Sequence, residues 1–211
     1  MTEFLSKVDH LVYATPDLER GIDEIEKLLG VRATPGGQHP GQGTRNALIA
    51  LGPAVYLEII GPDPEQPAPD RPRLFGIDGL KKSRLATWVA KGTDLERLRN
   101  EAVRKGAALG EVRAGSRRQT NGALLTWQYT FPGAVVADGL VPFFIDWGQS
   151  PHPAQTAAQG ATLVGLRAEH PDDRGTQRLL ESLGLALAVR EGTAPALIAV
   201  INSPHGQVEL R

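Results

Sequence analysis

Residues 8–31, VDHLVYATPDLERGIDEIEKLLGV, read as a strand running directly into an amphipathic helix, and weaker versions of this pattern recur twice downstream. Alternation places His10 on one strand face with Val8 and Val12. Thr15, Pro16 and Asp17 then supply a cap, a first-turn proline and an N-terminal acid. Leu18, Ile22, Ile25 and Leu29 follow at helical spacing, and Gly30 ends the run. An inward imidazole on a strand with a helix packed behind it is the feature the remaining chain has to accommodate.

Downstream, residues 31–34 read as a short strand and residues 35–43, PGGQHPGQG, as a loop. Residues 44–51 and 55–60 read as strands about a Gly-Pro-Ala turn, the second placing Glu58 on the face of Tyr56 and Ile60. Residues 61–79 are proline-rich and read as a crossover or linker. A second unit starts with LATWVA, followed by a capping box at residues 93–96 and a helix to Lys105. Its strands are expected at 109–112, 124–131 and 140–147, around a polar loop at 114–122, with Asp146 near the last strand's end. Residues 150–160 form a second linker. A third unit offers a strand at 162–168, a helix at 171–183 and three strands up to residue 210. Three strand–helix–strands units in one chain constitute a repeat.

Composition narrows the function classes. The chain has 211 residues, a formal charge of −1 and 5% aromatics, which gives no footprint for nucleic acid. The short clusters Lys81-Lys82-Ser83-Arg84 and Arg117-Arg118 read as solvated surface when taken alone. Cysteine is absent, so disulfides, thiolate metal sites and cysteine nucleophiles are excluded. No signal-peptide core or membrane-length apolar run is visible, so the expectation is a soluble, cytoplasmic protein with no membrane partner.

The motifs DHLVYATPDL, GGQHPGQGTRNALIALG, VYLEII, GSRRQTNGALLTW and PFFIDWGQSPHPA together resemble the glyoxalase-like domain family of the vicinal oxygen chelate superfamily. The resemblance covers about residues 5–155. It implies an α+β fold: paired βαβββ modules, about 5–61 and 83–148, forming curved mixed β-sheets around a cleft, with helices outside. Residues 1–155 would then be one glyoxalase-like domain, with a third βαβββ-like unit at 160–211 packed on it. It also implies metal ligands on the first and last strands of each module. Carried over by position, these are His10 and Glu58 in the first module and Asp146 in the second. Aligning Asp94-Leu95 on Asp17-Leu18 sets Thr87, or its neighbour Trp88, where a second histidine is expected.

Imidazole and carboxylates without sulfur suit Mn, Fe, Co, Ni, Zn or Mg. The expected activity is therefore that of a divalent-metal-dependent lyase or isomerase on a small oxygen-rich metabolite, with Glu58 and Asp146 also able to move protons. The alternative is a metal-free small-molecule binding or resistance protein using the same cleft. A ring-cleaving dioxygenase ranks third, because the chain is one histidine short. Read from the residues themselves, Glu58 on an otherwise apolar strand demands a partner. His39 lies in a glycine-rich loop where a ligand can approach the backbone closely, with Asn46 shortly after, and Arg117 can hold a carboxylate or phosphate. These three, with Thr87, are the substrate-binding candidates. His152 reads as a linker residue and Trp127 as core. No Walker lysine is present, so no nucleotide cofactor is expected. Ser83, Ser116 and Ser150 sit in no nucleophile elbow. The partner class is a small molecule, and such sheets are compatible with a homodimer.

Overall fold

The computed structural model describes residues 2–119, 122–131 and 137–211. After a short helix α1 (Thr2–Leu5), the chain forms strand β1 (Val8–Ala14), helix α2 (Leu18–Leu29) and strands β2 (Thr34–His39), β3 (Thr44–Gly52) and β4 (Val55–Pro62). The same order follows in β5 (Arg84–Lys91), α3 (Leu95–Arg104), β6 (Val112–Arg118), β7 (Leu124–Thr130) and β8 (Phe143–Asp146). These eight strands close a barrel in the order β1-β4-β3-β2-β6-β7-β8-β5. In each half the first strand lies parallel to the last, β1 beside β4 and β5 beside β8. The halves are joined by a long antiparallel β1–β5 seam on one side and by the single pair Gln38–Arg118 on the other. The expected cleft between curved sheets is thus an enclosed barrel interior, thinly laced at β2–β6.

The helices pack outside, as their apolar stripes require. In α2, Leu18, Ile22, Ile25 and Leu29 are buried. Asp17 caps its N-terminus by accepting from Arg20 N, and Gly30 ends it in the left-handed conformation at φ 72°. The cap is therefore Asp17 rather than Thr15. Asp94 likewise caps α3, one residue later than the Thr93 capping box implies. The outer core gathers Leu11 and Tyr13 of β1 with the α2 stripe, while Val12 and Ala14 belong to a separate cluster inside the barrel with Val89, Tyr129 and Ile145.

The third segment forms β9 (Thr162–His170), α4 (Asp173–Ser182), β10 (Ala188–Glu191), β11 (Ala196–Ser203) and β12 (Gly206–Leu210). Its element order repeats that of the halves, yet its sheet order is β10-β9-β11-β12. The strand parallel to β9 is β10, which directly follows the helix, instead of the last strand. Leu163, Leu166, Ala199 and Ile201 of this sheet join the barrel's outer core.

Three segments differ from the sequence reading. Residues 34–39 form a strand despite Pro35, Gly36 and Gly37. β2 has one registered pair to β6 and an irregular register to β3 between Pro35 and Gly37, a place where a missing N–H and a bulge are tolerated. Residues 112–118 form β6 instead of a loop, because Gly115 and Arg117 are buried on the barrel side, where polarity hides the strand signal. The far end of that expected loop, residues 120 and 121, lies outside the described residues. The proline-rich crossover is also not a simple spacer. Arg73 Nε donates to Gly43 O (2.8 Å) and Gln66 Nε2 to Thr44 O (3.1 Å), pinning it to the start of β3. The 3-10 helix Leu74–Gly79 is thereby laid against the barrel.

Candidate functional site

A cavity of about 60 Å³ inside the barrel is lined by His10, His39, Asn46, Glu58 and Arg117, with aromatic walls from Tyr56, Phe75, Trp127, Phe143 and Trp147. Five of the seven candidate residues therefore meet in one place. His10, His39, Asn46, Glu58 and Arg117 are all buried, at 3–7% exposure. They come from β1, β2, β3, β4 and β6. Only a closed barrel brings five consecutive barrel strands to a common centre in this way.

The distances define a chain of polar contacts. Arg117 Nη1 donates to Asn46 Oδ1 (3.1 Å), and Asn46 Nδ2 donates to Glu58 Oε1 (2.5 Å). Glu58 Oε2 lies 3.8 Å from His10 Nε2, and Glu58 Oε1 lies 3.7 Å from His39 Nε2. His39 Nδ1 is 3.0 Å from Thr44 Oγ1. Burial pushes the His39 pKa down despite the nearby Glu58 carboxylate, so this ring favours the neutral form. Burial also lowers the Arg117 pKa from its ordinary value, with Tyr56 and Glu58 opposing it; a guanidinium keeps its charge regardless. Arg117 Nε is buried with no hydrogen-bond partner among the described residues. An unpaired buried donor costs about 1–3 kcal/mol, which an incoming ligand oxygen would relieve.

Gly36 makes the Arg117–Asn46 bond geometrically feasible. A Cβ on Gly36 would collide with Asn46 Oδ1 and Arg117 Nη1. The glycine-rich stretch thus admits two side chains of the protein itself across its backbone.

Behind His10 stands a second network that alternation alone does not reveal. Asp9 is 1% exposed and accepts from His10 Nδ1 (2.7 Å), His152 Nε2 (3.2 Å) and Trp147 Nε1 (3.2 Å). Neighbouring strand residues normally point to opposite faces. Here the β1–β5 register slips between Val8 and His10, so an extra β1 residue is inserted at Asp9 and both side chains turn inward. The same slip sends Val8 to the outer core, off the face of His10 on which alternation places it. Burial by itself would raise the Asp9 pKa, but hydrogen bonds from His10 and His152 outweigh it and hold the carboxyl at about 2. An ionised Asp9 only accepts, so His10 carries a proton on Nδ1, and its Nε2 faces Glu58 and the cavity. Ala154 N donates to His152 Nδ1, which fixes the His152 proton on Nε2, facing Asp9. Tyr56 stacks on His10 with centroids 4.5 Å apart and an 18° interplanar angle. The second linker is therefore structural to the site, because it delivers His152. Its 3-10 turn Pro153–Gln155 packs on β3, with Ala154 buried beside Ala50 and Tyr56.

The structure does not bring Thr87 or Asp146 to this cavity. Thr87 lines a neighbouring cavity and donates from Oγ1 to Gly139 O (2.7 Å). Phe143 and Ile145 of β8 line the His10 cavity, and alternation turns Asp146 the other way, where its Oδ1 accepts from Gly148 N (2.9 Å). The ligand set His10, Glu58 and Asp146 therefore does not converge. Among the described residues no group of three or more His, Asp or Glu side chains is arranged to hold a metal ion. Of the expected ligands only His10 and Glu58 face the cavity, two donors where a catalytic divalent ion takes about three, so the expected set of His10, Glu58 and Asp146 does not fit that ion. Trp127, expected as core, lines the cavity and packs on Trp147 at 5.1 Å. Among the described residues no helix is long and apolar enough to cross a membrane.

Comparison with curated proteins returns no match. Among solved structures, a hypothetical protein from Staphylococcus aureus aligns over 96% of this chain and 84% of its own, at 14% identity and a TM-score of 0.60, a likeness of fold alone. Methylmalonyl-CoA epimerase from Mycobacterium tuberculosis aligns over 66% of this chain and 87% of its own, at 20% identity and a TM-score of 0.43. The family model for the glyoxalase-like domain matches residues 8–184, from the first strand of the barrel into the C-terminal segment. The chain belongs to the glyoxalase-like domain family.

Proposed function

We propose that this protein is a proton-transfer enzyme, a lyase or isomerase that enolises a small oxygen-rich anion in the His10–Glu58–Arg117 cavity. The observation that carries the reading is His10 itself, pinned by Asp9 at 2.7 Å through Nδ1 and presenting Nε2 beside Glu58 at 3.8 Å. A base held in one tautomer by a buried carboxylate is a recurrent arrangement for moving protons. The substrate's negative group would be drawn to Arg117, whose buried Nε has no partner among the described residues.

For a 2-oxo acid, His10 Nε2 takes a proton from the carbon next to the carbonyl. The C–H electron pair forms a carbon–carbon double bond, and the carbonyl π pair moves onto oxygen. The enolate charge then faces Arg117, and return of the proton to either face completes exchange or isomerisation. Glu58 is placed to relay the proton, and aromatic side chains wall the cavity in which the enolate would form. No step is routed through a metal.

The test uses 2-oxobutanoate in deuterated water, with loss of its C3 protons followed by NMR. Wild-type protein is expected to accelerate exchange, and His10→Gln to abolish the acceleration while tryptophan fluorescence still reports binding. Binding without exchange in the wild type would favour the metal-free binding reading, which the aromatic enclosure also suits.

A further inference from the structure

A second cavity of about 140 Å³ adjoins the first and shares two of its walls, Phe75 and Phe143. Its lining is largely apolar, with Ala86, Leu109, Phe131, Val141 and Pro142. The hydroxyls that reach it are already engaged: Thr87 Oγ1 donates to Gly139 O, and Thr130 Oγ1 accepts from Phe144 N. Among the described residues of this lining none besides Arg84 calls for a polar group, and an apolar void of this kind gains by being filled.

The wall between the cavities is made of two stacked rings. Phe75 and Phe143 lie 6.2 Å apart at 24°, and Phe143 also meets the His10 ring edge-on at 6.3 Å. Phe75 holds a left-handed backbone, φ 61° and ψ 15°, followed by Gly76 at φ 69°. An aromatic residue in that region is strained, and strain of this kind persists where surrounding structure enforces it, often at a ligand clamp. The pinned crossover enforces it here, seating the Phe75 ring where both cavities meet.

We infer that the ligand is amphipathic: an oxygen-rich anionic head seated among His10, Glu58 and Arg117, with a short apolar tail passing the Phe75–Phe143 wall into the second cavity. The tail supplies affinity through burial, and the head supplies orientation and chemistry. This inference rests on the head-group seat of the proposed function.

Straight-chain 2-oxo acids from 2-oxobutanoate to 2-oxooctanoate provide the test, with binding followed by fluorescence of Trp127 and Trp147. Affinity is expected to rise about fourfold per added methylene until the cavity is filled. Ala86→Leu, which occupies the cavity, should remove that gain, so that affinity no longer rises along the series. Val141→Ala, which enlarges it, should extend the gain to longer homologues, and melting curves confirm that each variant is folded. Affinity independent of chain length, with 2-oxobutanoate exchange intact, would overturn the inference while the proposed function stands. Loss of exchange with affinity still rising along the series would overturn the chemistry and keep the two-part site. Failure of every homologue to bind would overturn both.

Discussion

The two halves of the barrel share one strand order, and in both an aspartate caps the helix seven residues after the compared position: Asp17 for His10, and Asp94 for Thr87. Their interiors nevertheless differ. In the first half Asp9 and His10 carry a buried charge network; in the second, Ala86 and Thr87 stand at the corresponding places and line an apolar cavity. The fold requires neither set. What it requires is the helix cap, the outer apolar stripe and the strand pairing, which both halves retain. Interior side chains of a barrel are free to diverge, so one half can hold the chemistry and the other the room for a substrate's tail.

This contrast can be broken most forcefully at Asp9. Asp9→Ala would leave His10, His152 and Trp147 without their acceptor in a buried setting. The expected loss is about 3–5 kcal/mol in urea unfolding, and a loss under about 1 kcal/mol would mean that the network is not structural. Gly36→Ala comes next. The added methyl group must displace Asn46 or Arg117, with an expected cost of about 1–3 kcal/mol and weaker binding of 2-oxobutanoate. Unchanged stability and binding would show that the Arg117–Asn46 contact is dispensable.

The smallest effect is on pH dependence. His39 has a depressed folded pKa, so its unfolded form binds a proton more readily, and its contribution to stability is complete above the ordinary value of 6.5. As pH falls below 6.5, stability should decline by up to about 1.4 kcal/mol per pH unit until the folded ring itself protonates. His39→Gln should flatten that slope. Asp9 cannot be its source, because a carboxyl held at about 2 and ordinarily at 3.8 loses its contribution only as pH falls from 3.8 towards 2.

How far the sequence revealed this site depended on the kind of signal. His10 and Glu58 were legible because a titratable group on an apolar strand has few reasons to be there. His39, Asn46 and Arg117 were legible as chemistry although two of their strands read as loops, since glycine, proline and arginine mask strand periodicity when a barrel interior is polar. Asp9 was hidden by the rule that makes strands readable. Period-two alternation turns it outward, and only the bulge beside Val8 reverses it. His152 and Phe75 were hidden in linkers, whose docking on the barrel depends on contacts far away in sequence, such as Arg73 to Gly43. Asp146 was misjudged by a single strand position, enough to turn it away from the cavity. The element order of the third segment was readable, whereas its different sheet order was not, because pairing is decided by which edge the barrel leaves free.

The central claim is that the chemistry belongs to the first half's cavity, and it is tested most directly by comparing exchange rates in two variants. Against wild type, the C3 exchange of 2-oxobutanoate should fall by at least about a hundredfold in His10→Gln and stay within about twofold in Asp146→Asn. An equal fall in both, or a fall confined to Asp146→Asn, would contradict it.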